Sequence, residues 1–189
     1  METYECYHGT SAKDASTIIS QQRFLSSMKD DEWVGHGVYF FINPLPSLVL
    51  PTAYDNARNW AKYIKKANSP AVLKSIVTID RKRILDLRDE YDLELFNKFR
   101  LEIYLDARRR AYSNGLQLEE QFLYKQKLDC FSINELCKSC DPPLSAVIAK
   151  VFINFNAKRR YPVSQFPNCT ILCIRDTSLI DNISVAHSN

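Results

Sequence analysis

Glycine occurs four times in 189 residues, and three of the four stand in two short segments, His8-Gly9-Thr10 and Gly35-His36-Gly37-Val38-Tyr39-Phe40, with two of the three histidines beside them. A chain this poor in glycine keeps it where a side chain does not fit, at φ > 0 or where main chain lies directly against something else. The concentration is read as the place where a small molecule touches backbone. The two segments are then the walls of one pocket.

Around them the pattern is that of a mixed α+β chain. Residues 4–7 alternate as a short strand does and end at His8-Gly9, and Thr10 or Ser11 offers an N-cap for a helix over residues 12–20, with Ala15, Ile18 and Ile19 on one face. The first glycine segment is thus predicted to be a strand-to-helix turn. Residues 37–42 form a compact aromatic and β-branched run, so the second segment opens a buried strand. Residues 43–52 hold Pro44, Pro46 and Pro51, too stiff for regular structure and long enough to cover a site as a lid.

Further on, residues 53–66 carry Ala57, Trp60, Ala61 and Ile64 at helical spacing, and residues 71–79 and 84–87 read as strands. The longest predicted helix covers residues 90–112, with Leu95, Phe99 and Ile103 on one face, Phe96 beside them, and a stop near Asn114-Gly115. Residues 118–127 read as helix, Leu128-Asp129-Cys130-Phe131 as strand and residues 133–139 as helix, before Pro142-Pro143 breaks the pattern. Strands are predicted over residues 146–155, 170–175 and 183–185. With no internal repeat and no linker, residues 1–189 read as one domain: helices outside a largely antiparallel sheet, with a helical insertion at about 89–127.

Length and composition exclude several classes. A chain of 189 residues buries about two thirds of its unfolded surface without needing disulfides or metal. No apolar run approaches the ~20 residues needed to span a bilayer. Met1-Glu2-Thr3-Tyr4-Glu5-Cys6 lacks the basic and apolar regions of a signal peptide, so a cytoplasmic protein is expected, with Cys6, Cys130, Cys137, Cys140, Cys169 and Cys173 reduced. Cys137-x-x-Cys140 has the spacing of a zinc half-site but no second pair to complete it, and no metal is expected. Net charge is only +3, yet basic residues cluster at Lys65-Lys66, Arg81-Lys82-Arg83, Arg108-Arg109-Arg110 and Lys158-Arg159-Arg160. Shared on one surface, such runs form an electrostatic footprint for a polyanion.

Phosphate-binding signatures are missing. There is no G-x-G-x-x-G and no Walker A, and Gly35-x-Gly37 precedes a strand rather than a helix, the wrong context for phosphate at a helix N-terminus. A strand ending in His-Gly-Thr, followed by Gly-His-Gly-Val-Tyr-Phe, nevertheless resembles the diphtheria-toxin-like and PARP-like (H-Y-x) ADP-ribosyltransferases. The likeness is strong from Tyr7 to Trp60 and extends to residues 168–176, which resemble the family's final catalytic strand; residues 80–127 have no counterpart.

That resemblance implies a split antiparallel β-sheet core that binds NAD as co-substrate without a Rossmann unit. It makes His8 the residue that hydrogen-bonds the adenosine-side ribose, with Gly9 meeting the nicotinamide carboxamide through its backbone and Thr10 and Gly37 nearby. Tyr39 would stack on the nicotinamide ring and Trp60 would close the sandwich. A planar cationic ring favours aromatic faces by about 0.5–2 kcal/mol. Taken singly, each residue also has a purely architectural reading: His8 at a strand end, Tyr39 and Phe40 in the core, Trp60 on a helix face.

The third family position, usually Glu, falls on Ile171. Without a carboxylate there, the resemblance implies a single ADP-ribose transfer rather than chain elongation, with the base supplied by the acceptor or by Asp129, Gln165 or Asn168. His36 is assigned no role, and Arg175-Asp176 reads as a strand-end ion pair. The acceptor is expected to be RNA or DNA somewhat ahead of protein, because the basic runs supply sequence-independent affinity for phosphates. A toxin or anti-phage defence effector is implied by analogy, with an antitoxin or chaperone partner docking on residues 90–127. The alternatives are a catalytically inactive NAD- or ADP-ribose-binding module and a nucleic-acid-binding protein that uses the basic runs alone.

Overall fold

Strand β1 (Glu2–Ser11) pairs antiparallel with β3 (Pro70–Ile79) along its whole length, from Glu2 opposite Ile79 to Ser11 opposite Pro70. That continuous ladder carries β1 through His8-Gly9-Thr10, which lie within the strand and not in the turn expected of them. Only at Ser11 does the chain leave the sheet: the Ser11 hydroxyl accepts from the Asp14 N–H and caps helix α1 (Ala12–Gln21). The computed structural model describes residues 1–43, 51–155 and 166–187. The proline-rich lid segment, Lys158-Arg159-Arg160 and Gln165 fall almost entirely outside them.

After β2 (Val38–Ile42) come helix α2 (Ala53–Asn59) and, with no break, one π turn (Trp60–Ile64). Then follow β3, β4 (Ile84–Asp86), helices α3 (Glu90–Ser113), α4 (Glu120–Leu123) and α5 (Lys125–Ser139), and strands β5 (Ala146–Val151), β6 (Cys169–Ile174) and β7 (Ile180–Val185). The strands make one seven-stranded sheet in the order β4-β5-β6-β2-β1-β3-β7. All pairings are antiparallel except β4 with β5. A parallel pair needs a long crossover, and α3 to α5 form it, so this helical stretch is a structural connection of the sheet.

Side chains alternate between two cores, one on each face. Phe41, Val147, Ala149, Ile171 and Cys173 face α2 and α5, together with Ala57, Phe96 and Ile133. Cys6, Val38, Phe40, Leu73, Leu172 and Ile174 face the other way, toward Ala15 of α1 and Phe24. The fold class is thus α+β with a mostly antiparallel sheet.

Two local expectations are corrected. Residues 128–131 belong to α5 and not to a strand: Leu128, Cys130, Ile133, Asn134 and Cys137 are buried at helical spacing, and a stretch of four residues is too short to distinguish the two periods. On α3 the buried residue is Phe96 while Leu95 is exposed, so Phe96 takes the place expected of Leu95 and Phe99 and Ile103 are half-buried as expected.

Candidate functional site

The sheet is nearly divided at its middle. Among the described residues β1 and β2 are paired at Cys6 with Ile42 and at Tyr7 with Phe41, and toward His8 the pairing stops, although each strand continues on its other side, β1 with β3 and β2 with β6. Beyond Tyr7, the main-chain groups of β1 that point away from β3 have no ladder partner. A cleft of about 650 Å³ opens at this place. His8, Gly9, Thr10, Gly37, Tyr39, Trp60 and Ile171 all line it.

That convergence depends on the gap. By alternation His8 and Thr10 project to the α1 face, whereas Tyr39 and Ile171 share the face of α2. Side chains on opposite faces of a continuous ladder never share a cavity; here they do because the ladder is open between them.

His8 bridges the gap. Its Nδ1 lies 2.8 Å from the main-chain oxygen of Tyr39, and because a carbonyl only accepts, Nδ1 carries the proton and Nε2 keeps a free lone pair. The ring packs edge-on against Phe24 and Phe40 with centroids 5.2 and 5.9 Å away. Burial lowers its pKa to about 4 in spite of the hydrogen bond to Tyr39, with the Lys65 charge adding to the fall and Asp14 opposing it. His8 is therefore a neutral hydrogen-bond acceptor at neutral pH.

Tyr39 is held by its hydroxyl, which donates to the Gly35 carbonyl at 2.6 Å and accepts from the Val34 N–H at 3.1 Å. Burial pushes its pKa up, so it works as an aromatic surface and not as an acid. Trp60 stands against Phe41 at 6.3 Å and, edge-on, against Trp33 at 5.7 Å. Trp33 also lines the cleft and was missed by sequence reasoning, although it stands four residues ahead of Gly37.

The π turn has a positional effect. In an α-helix, at 3.6 residues per turn, residues five apart point about 140° away from each other. The Lys65 N–H bonds the Trp60 oxygen at 3.0 Å, and this i to i+5 bond stacks the two residues one turn apart, so both reach the cleft. Arg23, Lys29 and Lys65 line it without an ion pair among the described residues. Asp14, Asp31 and Glu32 are its carboxylates.

Several sequence expectations are redirected. The glycines answer first to protein packing: a Cβ on Gly9 would lie 1.8 Å from the Ala57 carbonyl of α2, and Gly35, at φ +83°, would place one 2.8 Å from Asn134 Oδ1. They let helices lie against the sheet, and Gly9 and Gly37 border the cleft as a result. Asp129 pairs with Arg100 between α5 and α3, and Asn168 is engaged by both main-chain groups of Ile153, at 2.9 and 3.0 Å; neither lines the cleft. Arg175 and Asp176 do not pair with each other: Arg175 donates to Asn134 Oδ1 and the His36 carbonyl, and Asp176 lies 3.7 Å from Arg83. His36 is half-buried and not exposed, its N–H donating to Asn134.

Of the basic runs, Arg81 is paired with Glu2 and Asp92, Arg83 with Asp176, and Arg110 with Asp106. The six thiols are free; Cys137 sits in the core and Cys140 donates to the Leu136 carbonyl. Among the described residues no group of three His, Cys, Asp or Glu is placed to hold a metal ion, and no helix is long and apolar enough to cross a membrane.

No family model and no solved structure matches the chain. It is similar to an uncharacterized protein of Methanocaldococcus jannaschii, 30% identical over 86 residues, which are 43% of this chain and 36% of that protein. The chain thus spans about a third of the length of that relative.

Proposed function

We propose that the protein is an NAD-dependent mono-ADP-ribosyltransferase that transfers one ADP-ribose from NAD to a macromolecular acceptor, nucleic acid ahead of protein. The observation that carries this reading is the shared cleft of His8 and Tyr39 where β1 and β2 part, the split that the H-Y-x resemblance calls for. Its volume lies in the range of about 300–1,000 Å³ usual for cofactor-sized ligands.

The residues suit NAD. The unpaired edge of β1 at residues 8–10 offers amide donors and acceptors to a carboxamide, and Tyr39 and Trp60 supply aromatic faces for a pyridinium ring. His8 Nε2 accepts from a ribose hydroxyl. Arg23, Lys29 and Lys65 suit the diphosphate, or the phosphates of a nucleic-acid acceptor. In the reaction the bond from ribose C1′ to nicotinamide breaks, nicotinamide leaves with the electron pair, and the acceptor atom bonds C1′. The aromatic pair holds the leaving ring in line.

Incubation with labelled NAD and cell lysate, followed by separate protease and nuclease digestion, tests the reading. Label that resists protease and is released by nuclease supports it in full, and label released by protease moves the acceptor to protein. A second reading, an NAD- or ADP-ribose-binding module without turnover, is favoured by Ile171, 2% exposed in the cleft wall where the family carries a carboxylate. Tight NAD binding with no nicotinamide release in any lysate would select it.

A further inference from the structure

We infer that Glu32 is the catalytic carboxylate of this cleft, receiving the proton of the acceptor as the new bond to ribose forms; the inference rests on the transferase reading. Ile171 leaves the wall formed by the last strands without an ionisable group, and Asp129 and Asn168 are committed elsewhere. The cleft itself holds three carboxylates. Asp14 is bound to the start of α1, accepting from Ser11 Oγ at 2.8 Å and Thr10 Oγ1 at 3.4 Å. Asp31 is exposed. Glu32 is half-buried, joins no ion pair among the described residues, and accepts a hydrogen bond from the Ser27 hydroxyl.

Ser27 is itself anchored. It exchanges two main-chain hydrogen bonds with Gly37, at 2.8 and 3.1 Å, which fasten the loop carrying Glu32 to the entry of β2, two residues before Tyr39. Beside burial, which is the chief cause, the charge of Glu32 helps to raise the pKa of the Tyr39 hydroxyl and of the Cys173 and Cys130 thiols. Glu32 is thus held beside Trp33 at the end of the cleft wall that the Ser27–Gly37 bridge fastens to the strand of Tyr39. That is the end at which a nicotinamide ring and the reacting C1′ would lie.

In the step, the acceptor X–H approaches C1′ opposite the departing nicotinamide. The X–C1′ bond forms, the C1′–N bond breaks with its electrons leaving on nicotinamide, and the X–H proton passes to a Glu32 carboxylate oxygen and then to water. General-base contributions of this kind amount to about 10²–10⁴-fold in rate.

Glu32→Gln keeps the shape and the hydrogen bond from Ser27 but loses basicity. The expected result is NAD affinity, measured by titration, within about twofold of wild type and nicotinamide release in the presence of acceptor at least 100-fold slower. Transfer within threefold of an active wild type would overturn the role of Glu32 and leave the transferase reading standing, whereas a wild type that neither binds nor cleaves NAD would overturn both. Should Glu32→Gln fold poorly, Ser27→Ala decides: it frees the carboxylate without touching the backbone bridge. Transfer about tenfold slower at unchanged NAD affinity supports the assignment, and an unchanged rate overturns it.

Discussion

The Nδ1 proton of His8 is donated to the main-chain oxygen of Tyr39 across 2.8 Å, so a side chain continues a connection that the backbones of β1 and β2 have already abandoned. Because the acceptor is a main-chain group and the ring is neutral, the contact has a definite pH signature. The ordinary imidazole pKa is 6.5 and the folded one about 4, so the unfolded chain takes up the proton first as the pH falls. Stability from this residue is complete above about pH 6.5 and declines down to about pH 4, by an amount on the order of 3 kcal/mol. Urea denaturation at pH 7 and pH 4.5 measures it: the wild type should lose more stability over that interval than His8→Gln. Equal losses would assign the acid sensitivity to other groups.

Tyr39 separates a structural duty from the proposed ligand duty. Tyr39→Phe keeps the ring face but leaves the Gly35 carbonyl and the Val34 N–H without their partner, a loss of about 1–3 kcal/mol. NAD affinity of the folded protein should stay within a few-fold of wild type. Tyr39→Ala should abolish both NAD binding and transfer, and a variant that remained active would show that the ring does not meet the substrate.

Gly9 has no room for one more carbon. With a Cβ 1.8 Å from the Ala57 carbonyl, and backbone on both sides of the clash, Gly9→Ala should cost about 3 kcal/mol by pushing α2 off the sheet. Gly115→Ala, in open space at φ +63°, should cost only about 1–2 kcal/mol of backbone strain. Thermal melting of the two variants side by side tests the order; a Gly115 variant at least as damaging as the Gly9 variant would contradict it.

Lys65 owes its place in the cleft to the π turn and, without an ion-pair partner among the described residues, its charge is free for an anion. Lys65→Gln is expected to weaken NAD and ADP-ribose binding about tenfold, roughly 1.4 kcal/mol, and to flatten the dependence on salt. Nicotinamide riboside, which lacks the diphosphate, should bind wild type and variant alike. Isothermal titration with the three ligands distinguishes loss of charge from general damage.

Much of this arrangement is legible in the residues and some is not, for physical reasons. Alternation and β-branching place β2 within a residue of the predicted run, and Ser11 is one of the two caps proposed for α1. His8, Tyr39, Trp60 and Ile171, the first two conspicuous beside the glycines and the others named through the family resemblance, line one cleft. The reach of β1 to Ser11 is invisible locally, because it depends on a partner strand some sixty residues away at Pro70. Gly9 is conspicuous in the sequence, but the reason for it, the carbonyl of Ala57, exists only once α2 has docked. Trp33 and Glu32 carry no motif of their own and are set by a loop fastened through Ser27, whereas Lys65, visible in the sequence only as part of the basic pair Lys65-Lys66, is placed by one irregular turn. Asp129, chosen for its chemistry, is drawn away by Arg100 on a helix whose packing the sequence does not announce.

Among the described residues only two register pairs join β1 to β2, fewer than join any other neighbouring strands. Any molecule lodged there touches both halves at once and so behaves as a clasp: its binding energy adds directly to cohesion, by RT ln(1 + [L]/Kd). Saturating ligand should slow amide exchange at Cys6, Tyr7, Phe41 and Ile42 before it does so at the outer strands, so the protein would be most securely closed while it is occupied.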